Sequence, residues 1–139
     1  MKIDHDYLKK MLEAFEAAPA PIFYVRDFGD AGLDYCNPQF IFHLGILNDQ
    51  DFVARDDGKA GFGLQRGADG SAAWSIIPLR LTAQGHDFIE AMKNKEVWAT
   101  LKKDFKDAGV STMWDVSKKL LEGYAKKKVE GILNGDISI

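Results

Sequence analysis

The chain has 139 residues, of which 46% are hydrophobic, with nine Phe, three Trp and four Tyr. That length and apolar content suit one folded domain and exclude a disordered tail. The formal net charge is −3, and no apolar run approaches the roughly 18 residues that a membrane span requires. Met1-Lys2-Ile3-Asp4-His5-Asp6 lacks the apolar segment of a secretory signal, so a cytoplasmic protein is expected. Cys36 is the only cysteine, and an internal disulfide is impossible.

The pattern predicts a first helix from about Asp4 or Asp6 to Ala18. Tyr7, Leu8, Met11, Leu12 and Phe15 recur at helical spacing, and Pro19 and Pro21 stop the run. Ile22–Arg26 reads as a short strand and 27–36 as a loop. Asn37-Pro38 is a helix start, an N-cap side chain before a proline at the first helical position. The helix it opens, Pro38–Asn48, is apolar around most of its circumference. Phe40, Ile41, Leu44 and Leu47 share one side, and Phe42 and Ile46 lie toward the other. Such a helix is normally covered on both sides.

Phe52–Arg55 reads as the next strand, 56–73 as a long Gly- and Asp-rich hairpin, and Trp74–Leu81 as the returning strand, with Pro78 at an edge or bulge. Three helices are predicted after it, about 84–94, 96–108 and 112–133. The expected fold class is α+β, with a small antiparallel sheet of strands 22–26, 52–55 and 74–81, N-terminal helices and additional C-terminal helices. The chain reads as a single domain over 1–139 with a C-terminal helical extension at about 96–133.

No motif carries recognisable chemistry. Gly61-Phe62-Gly63-Leu64-Gln65-Arg66-Gly67 lacks a following Lys-Ser or Lys-Thr pair and opens no helix, so a hairpin tip is expected instead of a phosphate loop. His5, His43, His86 and Cys36 lack metal-site spacing, and neither a metal nor a cofactor is expected. His86-Asp87 lies at a helix start, but adjacent helical residues point about 100° apart, so they form no acid–base dyad. His86 is expected to pack or cap, and Cys36 to be a buried structural cysteine.

Three segments resemble an uncharacterised bacterial and phage family. They are the Met-Lys-x-Asp-x-Asp opening, His43-Leu44-Gly45-Ile46-Leu47-Asn48-Asp49-Gln50-Asp51-Phe52-Val53, and Leu81-Thr82-Ala83-Gln84-Gly85-His86-Asp87-Phe88. Val97-Trp98 and the lysine-bearing last helix extend the likeness. The resemblance implies a winged-helix-like fold of prophage-related origin and no known reaction. Asp replaces the usual turn glycine around Gln50-Asp51, where it can adopt the left-handed backbone.

In a winged helix, Pro38–Asn48 would occupy the recognition position. It carries no Lys or Arg, and Asp49 and Asp51 border it, so DNA phosphates would repel it. Residues 1–80 hold 8 basic against 12 acidic residues, a net of −4, whereas 81–139 hold 10 against 9. The expected function is therefore a non-catalytic, regulatory protein-interaction module. Phe42 and Ile46 are its candidate interface, and the partner is another protein or a second copy. The alternative is a DNA-binding transcriptional regulator, with Gln39, His43, Lys59, Arg66, Lys126, Lys127 and Lys128 as candidate nucleic-acid contacts.

Overall fold

A computed structural model describes residues 1–135; the last four residues of the domain read over 1–139 lie outside the described residues. The fold is α+β, and among the described residues it has six helices and two small antiparallel sheets of two strands each. The chain divides into two compact units, Met1–Ile89 and Glu90–Ile139.

In the first unit, helix α1 spans His5–Ala17, and the Asp4 carboxylate caps it by accepting from the Tyr7 N–H at 3.1 Å. Its buried face carries Leu8, Met11, Leu12 and Phe15. Phe15, Phe23, Phe28 and Phe40 form a chain of rings with centroids 4.7–5.2 Å apart. These edge and tilted contacts add to the area that the four rings bury.

The strand expected over 22–26 shrinks to one bridge, Phe23 with Leu79, whose N–H groups and carbonyls exchange two 2.8 Å bonds. A local competitor shortens it. The Asp27 carboxylate accepts from the Tyr24 N–H at 2.9 Å and turns the chain into a 3-10 helix, Val25–Ala31. Val25 and Phe28, three residues apart, share its buried side. A helix therefore stands at the start of the segment expected to be a loop, and it ends at Gly32 with φ 76°.

Helix α2 spans Pro38–Asp49, and the Asn37 side chain accepts from the Gln39 N–H at 2.9 Å. After it, Asp51 takes φ 59°, the only positive φ at a non-glycine among the described residues. Strand β1, Val53–Arg55, pairs antiparallel with the strand Leu79–Leu81, setting Val53 opposite Leu81 and Arg55 opposite Leu79. Between them the strands β2, Leu64–Arg66, and β3, Ala72–Trp74, form a separate hairpin ladder; Leu79–Leu81 is thus β4.

The expected strand 74–81 is broken in two, and the expected single three-stranded sheet is replaced by these two ladders. Residues 75–78 belong to neither ladder, Pro78 has no N–H to donate, and Ile77 turns inward beside Gly63. Gly63 has φ 93°, and a Cβ there would lie 2.6 Å from the Ser75 carbonyl oxygen. Helix α3, Ala83–Lys93, follows, with Phe88 stacked on Phe52 at 4.5 Å.

In the second unit, α4 spans Lys95–Asp104 and is capped by Asn94, which accepts from the N–H groups of Glu96 and Val97. Helix α5 runs Val110–Leu133. Val97, Leu101, Val110, Met113 and Ser117 are buried, and the Ser117 hydroxyl donates to the Met113 carbonyl at 2.6 Å. Desolvation and the Glu96 carboxylate push the Tyr124 phenol upward. Among the described residues, no helix is long and apolar enough to cross a membrane.

Candidate functional site

Helix α2 turns Phe40, His43, Leu44 and Leu47 into the core. Helical spacing places Phe42, Gly45, Ile46 and Asp49 toward the opposite side. Phe42 and Ile46 are half-buried, and Asp49 is exposed. The hairpin supplies part of the cover, since a Cβ on Gly45 would touch the Phe62 ring at 3.7 Å. The Asn48 amide ties its base down by donating to the Val53 and Gly61 carbonyls at 3.0 and 3.3 Å. Trp74 anchors the returning strand, donating from its indole N–H to the Tyr35 carbonyl at 3.0 Å. The result is a partly open apolar face beside a hairpin whose Lys59 and Arg66 are exposed.

Acids outnumber those two cations in the hairpin. Asp57 accepts from the Arg55 guanidinium and the Lys59 N–H, which hold its carboxyl below the usual carboxylate range. The Ser71 hydroxyl and N–H do the same for Asp69. Asp56 lies 3.9 Å from Arg80. Residues 56–73 hold two basic side chains against three acids, so the hairpin offers phosphate no concentrated positive field.

The structure removes His43 from the candidate contacts, because it is fully buried. The backbone N–H of Asp4 can only donate, so His43 Nε2 accepts from it at 2.9 Å. Nδ1 then donates to the Gln39 carbonyl at 2.7 Å. With both nitrogens occupied and Tyr7 against the ring at 4.8 Å, His43 joins the start of α1 to α2. Gln39 is half-buried, and Lys126, Lys127 and Lys128 are exposed on α5, in the other unit.

Two further expectations need correction. Cys36 is exposed, because it lies in the turn before α2, where the Asp34 carboxylate accepts from its N–H. His86 is also exposed, and it lines a cavity of about 430 Å³ with Glu16, Phe23, Asp56 and Arg80. That lining holds no hydroxyl or thiol for His86 to activate. Among the described residues, no group of three or more His, Cys, Asp or Glu could hold a metal ion.

The role of the 81–86 segment was not readable from its residues. Thr82 Oγ1 accepts from the Gly85 N–H at 3.0 Å and donates to the Asp51 carbonyl. Gln84 donates to the Gln50 carbonyl at 2.9 Å, and the Thr82 N–H to the Phe52 carbonyl at 3.0 Å. A Cβ on Gly85 would lie 2.2 Å from the Phe52 carbonyl oxygen. The start of α3 thus clamps the turn between α2 and β1. The sequence signal was Thr-x-x-Gly directly after a strand.

Residues 2–111 match the model of a family described as "Hypothetical protein (DUF2513)". No curated protein and no solved structure matches the chain.

Proposed function

Since the chain belongs to the DUF2513 family of hypothetical proteins, a description that states no activity, we propose from the geometry that it is a non-catalytic, winged-helix-like binding module whose main surface takes a protein partner. Element order supports the winged-helix part. Helix α1, the Phe23 bridge, the 3-10 helix, α2, β1, the β2–β3 hairpin and β4 follow one another, and Leu79 of β4 pairs with both Arg55 and Phe23. A regulatory, cytoplasmic role and a prophage-related origin complete the reading, on the sequence resemblance.

One observation carries the protein-partner reading: the outward face of α2 is apolar and acidic, with Phe42 and Ile46 half-exposed and no Lys or Arg on the helix. Covering two such side chains in a protein interface is worth up to about 1.5–3 kcal/mol each, whereas DNA phosphates would meet Asp49 and Asp51. The test is affinity capture from the native host, with and without nuclease, using the full chain and Phe42→Asp/Ile46→Asp. A partner that survives nuclease and is lost with the double variant is the expected result. Loss of every partner on nuclease treatment overturns it.

The exposed Lys59, Arg66, Lys126, Lys127 and Lys128 favour a second reading, a DNA-binding regulator. Any duplex binding should fall steeply with salt, and Lys126→Gln/Lys127→Gln/Lys128→Gln should weaken it for all sequences alike. Anisotropy titrations at two salt concentrations check this. Selective binding that survives the triple substitution but is lost on changing Gln39 would place DNA on α2.

A further inference from the structure

The two helices of the second unit differ greatly in length. Helix α4 has 10 residues and α5 has 24, about 15 Å against about 36 Å. Helix α5 therefore exceeds α4 by 14 residues, about 21 Å. Among the described residues of α5, none beyond Ser117 is buried. This stretch is nevertheless not a polar tail. Val129 is 53% exposed, Ile132 57% and Leu133 79%, the largest group of exposed aliphatic side chains in the described chain.

Those side chains are ordered on the helix. Leu121, Ala125, Val129 and Ile132 are spaced 4, 4 and 3 residues apart, which makes one stripe. Glu122 and Lys126 lie together along one flank of it. We propose that a second copy of this chain covers the stripe, with the two α5 helices antiparallel and Ala125 at the two-fold axis. This inference rests on α5 alone and does not depend on the reading of α2.

Charge and shape select that occupant and that direction. With the axis at Ala125, Leu121 lies opposite the partner's Val129, and the small alanine lets the backbones approach. The two-fold keeps like flanks together, so Glu122 falls within about 3 Å along the axis of the partner's Lys126, and the pair occurs twice. Ile132 meets the alkyl stem of the partner's Lys118, whose own ammonium is held over the Trp114 ring at 5.0 Å. A parallel pair would instead bring this flank against the partner's opposite flank, and the two Glu122–Lys126 pairs would not form. The self-pairing is isologous and therefore closes at two copies.

Sedimentation equilibrium of the full chain across a concentration series is the first measurement, with circular dichroism to show that each variant keeps its helices. The expected species is a dimer that Val129→Glu and Ile132→Glu convert to monomer. Glu122→Lys should raise the dimer dissociation constant about tenfold, and Glu122→Lys/Lys126→Glu should restore it. For direction, Cys36→Ser removes the natural thiol, and the Leu121→Cys and Val129→Cys proteins are mixed under mild oxidation. A disulfide between the two different variants is expected, and Leu121→Cys alone should not cross-link. A monomer at every concentration overturns the proposal, as does a dimer untouched by Val129→Glu. Efficient cross-linking of Leu121→Cys to itself overturns the antiparallel arrangement. None of these outcomes bears on the partner of Phe42 and Ile46, so failure here and failure of the proposed function remain distinguishable.

Discussion

Helices α2 and α5 fix their positions in opposite ways. The shorter one, 12 residues, is held along its length: Asn37 caps it, His43 bonds Asp4, Asn48 bonds the hairpin base, and the clamp from α3 grips the turn after it. The longer one, 24 residues, buries only Val110, Met113 and Ser117 and continues without another buried residue. A 12-residue helix is marginal in isolation, so α2 owes its existence to long-range partners. Helix α5 is long enough for propagation along its own backbone to carry more of the work. Substitutions that matter in α2 and its clamp should therefore act through packing within the unit, and those in the outer half of α5 away from the Leu121–Ile132 stripe through local propensity.

The largest expected effect comes from the clamp. Alanine normally favours a helix over glycine by about 1 kcal/mol, but Gly85→Ala places a methyl 2.2 Å from a backbone oxygen. It should destabilise the first unit by about 3 kcal/mol or more, read as a lower urea midpoint. A neutral or stabilising result would mean that α3 and the turn are not locked together. Next comes His43→Ala, which removes the partner of the Asp4 N–H and leaves a cavity. Its expected cost is about 2–3 kcal/mol, measured in the same way.

In α5 the sign reverses. Gly123 has nothing within 4 Å of where a Cβ would stand, so Gly123→Ala should stabilise the helix by about 0.5–1 kcal/mol, seen as a higher thermal midpoint. The smallest effect belongs to the exposed hairpin. The Asp57 and Asp69 carboxyls are lowered by bonds made in the folded chain. Their contribution is therefore complete above the usual carboxylate range and lost as pH falls through their lower folded values. Acid titration followed by NMR should show the Lys59 and Ser71 amides shifting only below the usual carboxylate range, and Asp57→Asn should abolish the Lys59 response.

What could be read from the sequence follows the same division between local and distant causes. Asn37-Pro38 announced α2 because cap and first-turn proline act within three residues, and the left-handed Asp51 was readable because turn chemistry is local. The strand at 22–26 failed because period-two hydrophobicity says nothing of the Asp27 carboxylate, which captures the Tyr24 N–H and bends the chain away. The orientation of His43 was hidden because the donor that draws it inward, the Asp4 N–H, is 39 residues away. The Thr82–Gly85 clamp looked like an ordinary helix start, since its other half, Gln50–Phe52, lies far earlier in the chain. Phe42 and Ile46 were readable as candidates, but the approach of Phe62 to Gly45 between them depends on the path of the hairpin.

The Phe23–Leu79 bridge has a consequence for synthesis of the chain. Its two residues are 56 positions apart, and β4, which both Phe23 and β1 require, is the last strand to be made. At about 5–20 residues per second, Phe23 waits about 3–11 s for its partner. During that interval the ring cluster around Phe15 and Phe28 is already present in the nascent chain without the strand that closes it. Slowing translation while residues 55–79 are emerging should therefore increase chaperone binding and aggregation of the nascent chain, whereas slowing it once residue 89 has emerged should not.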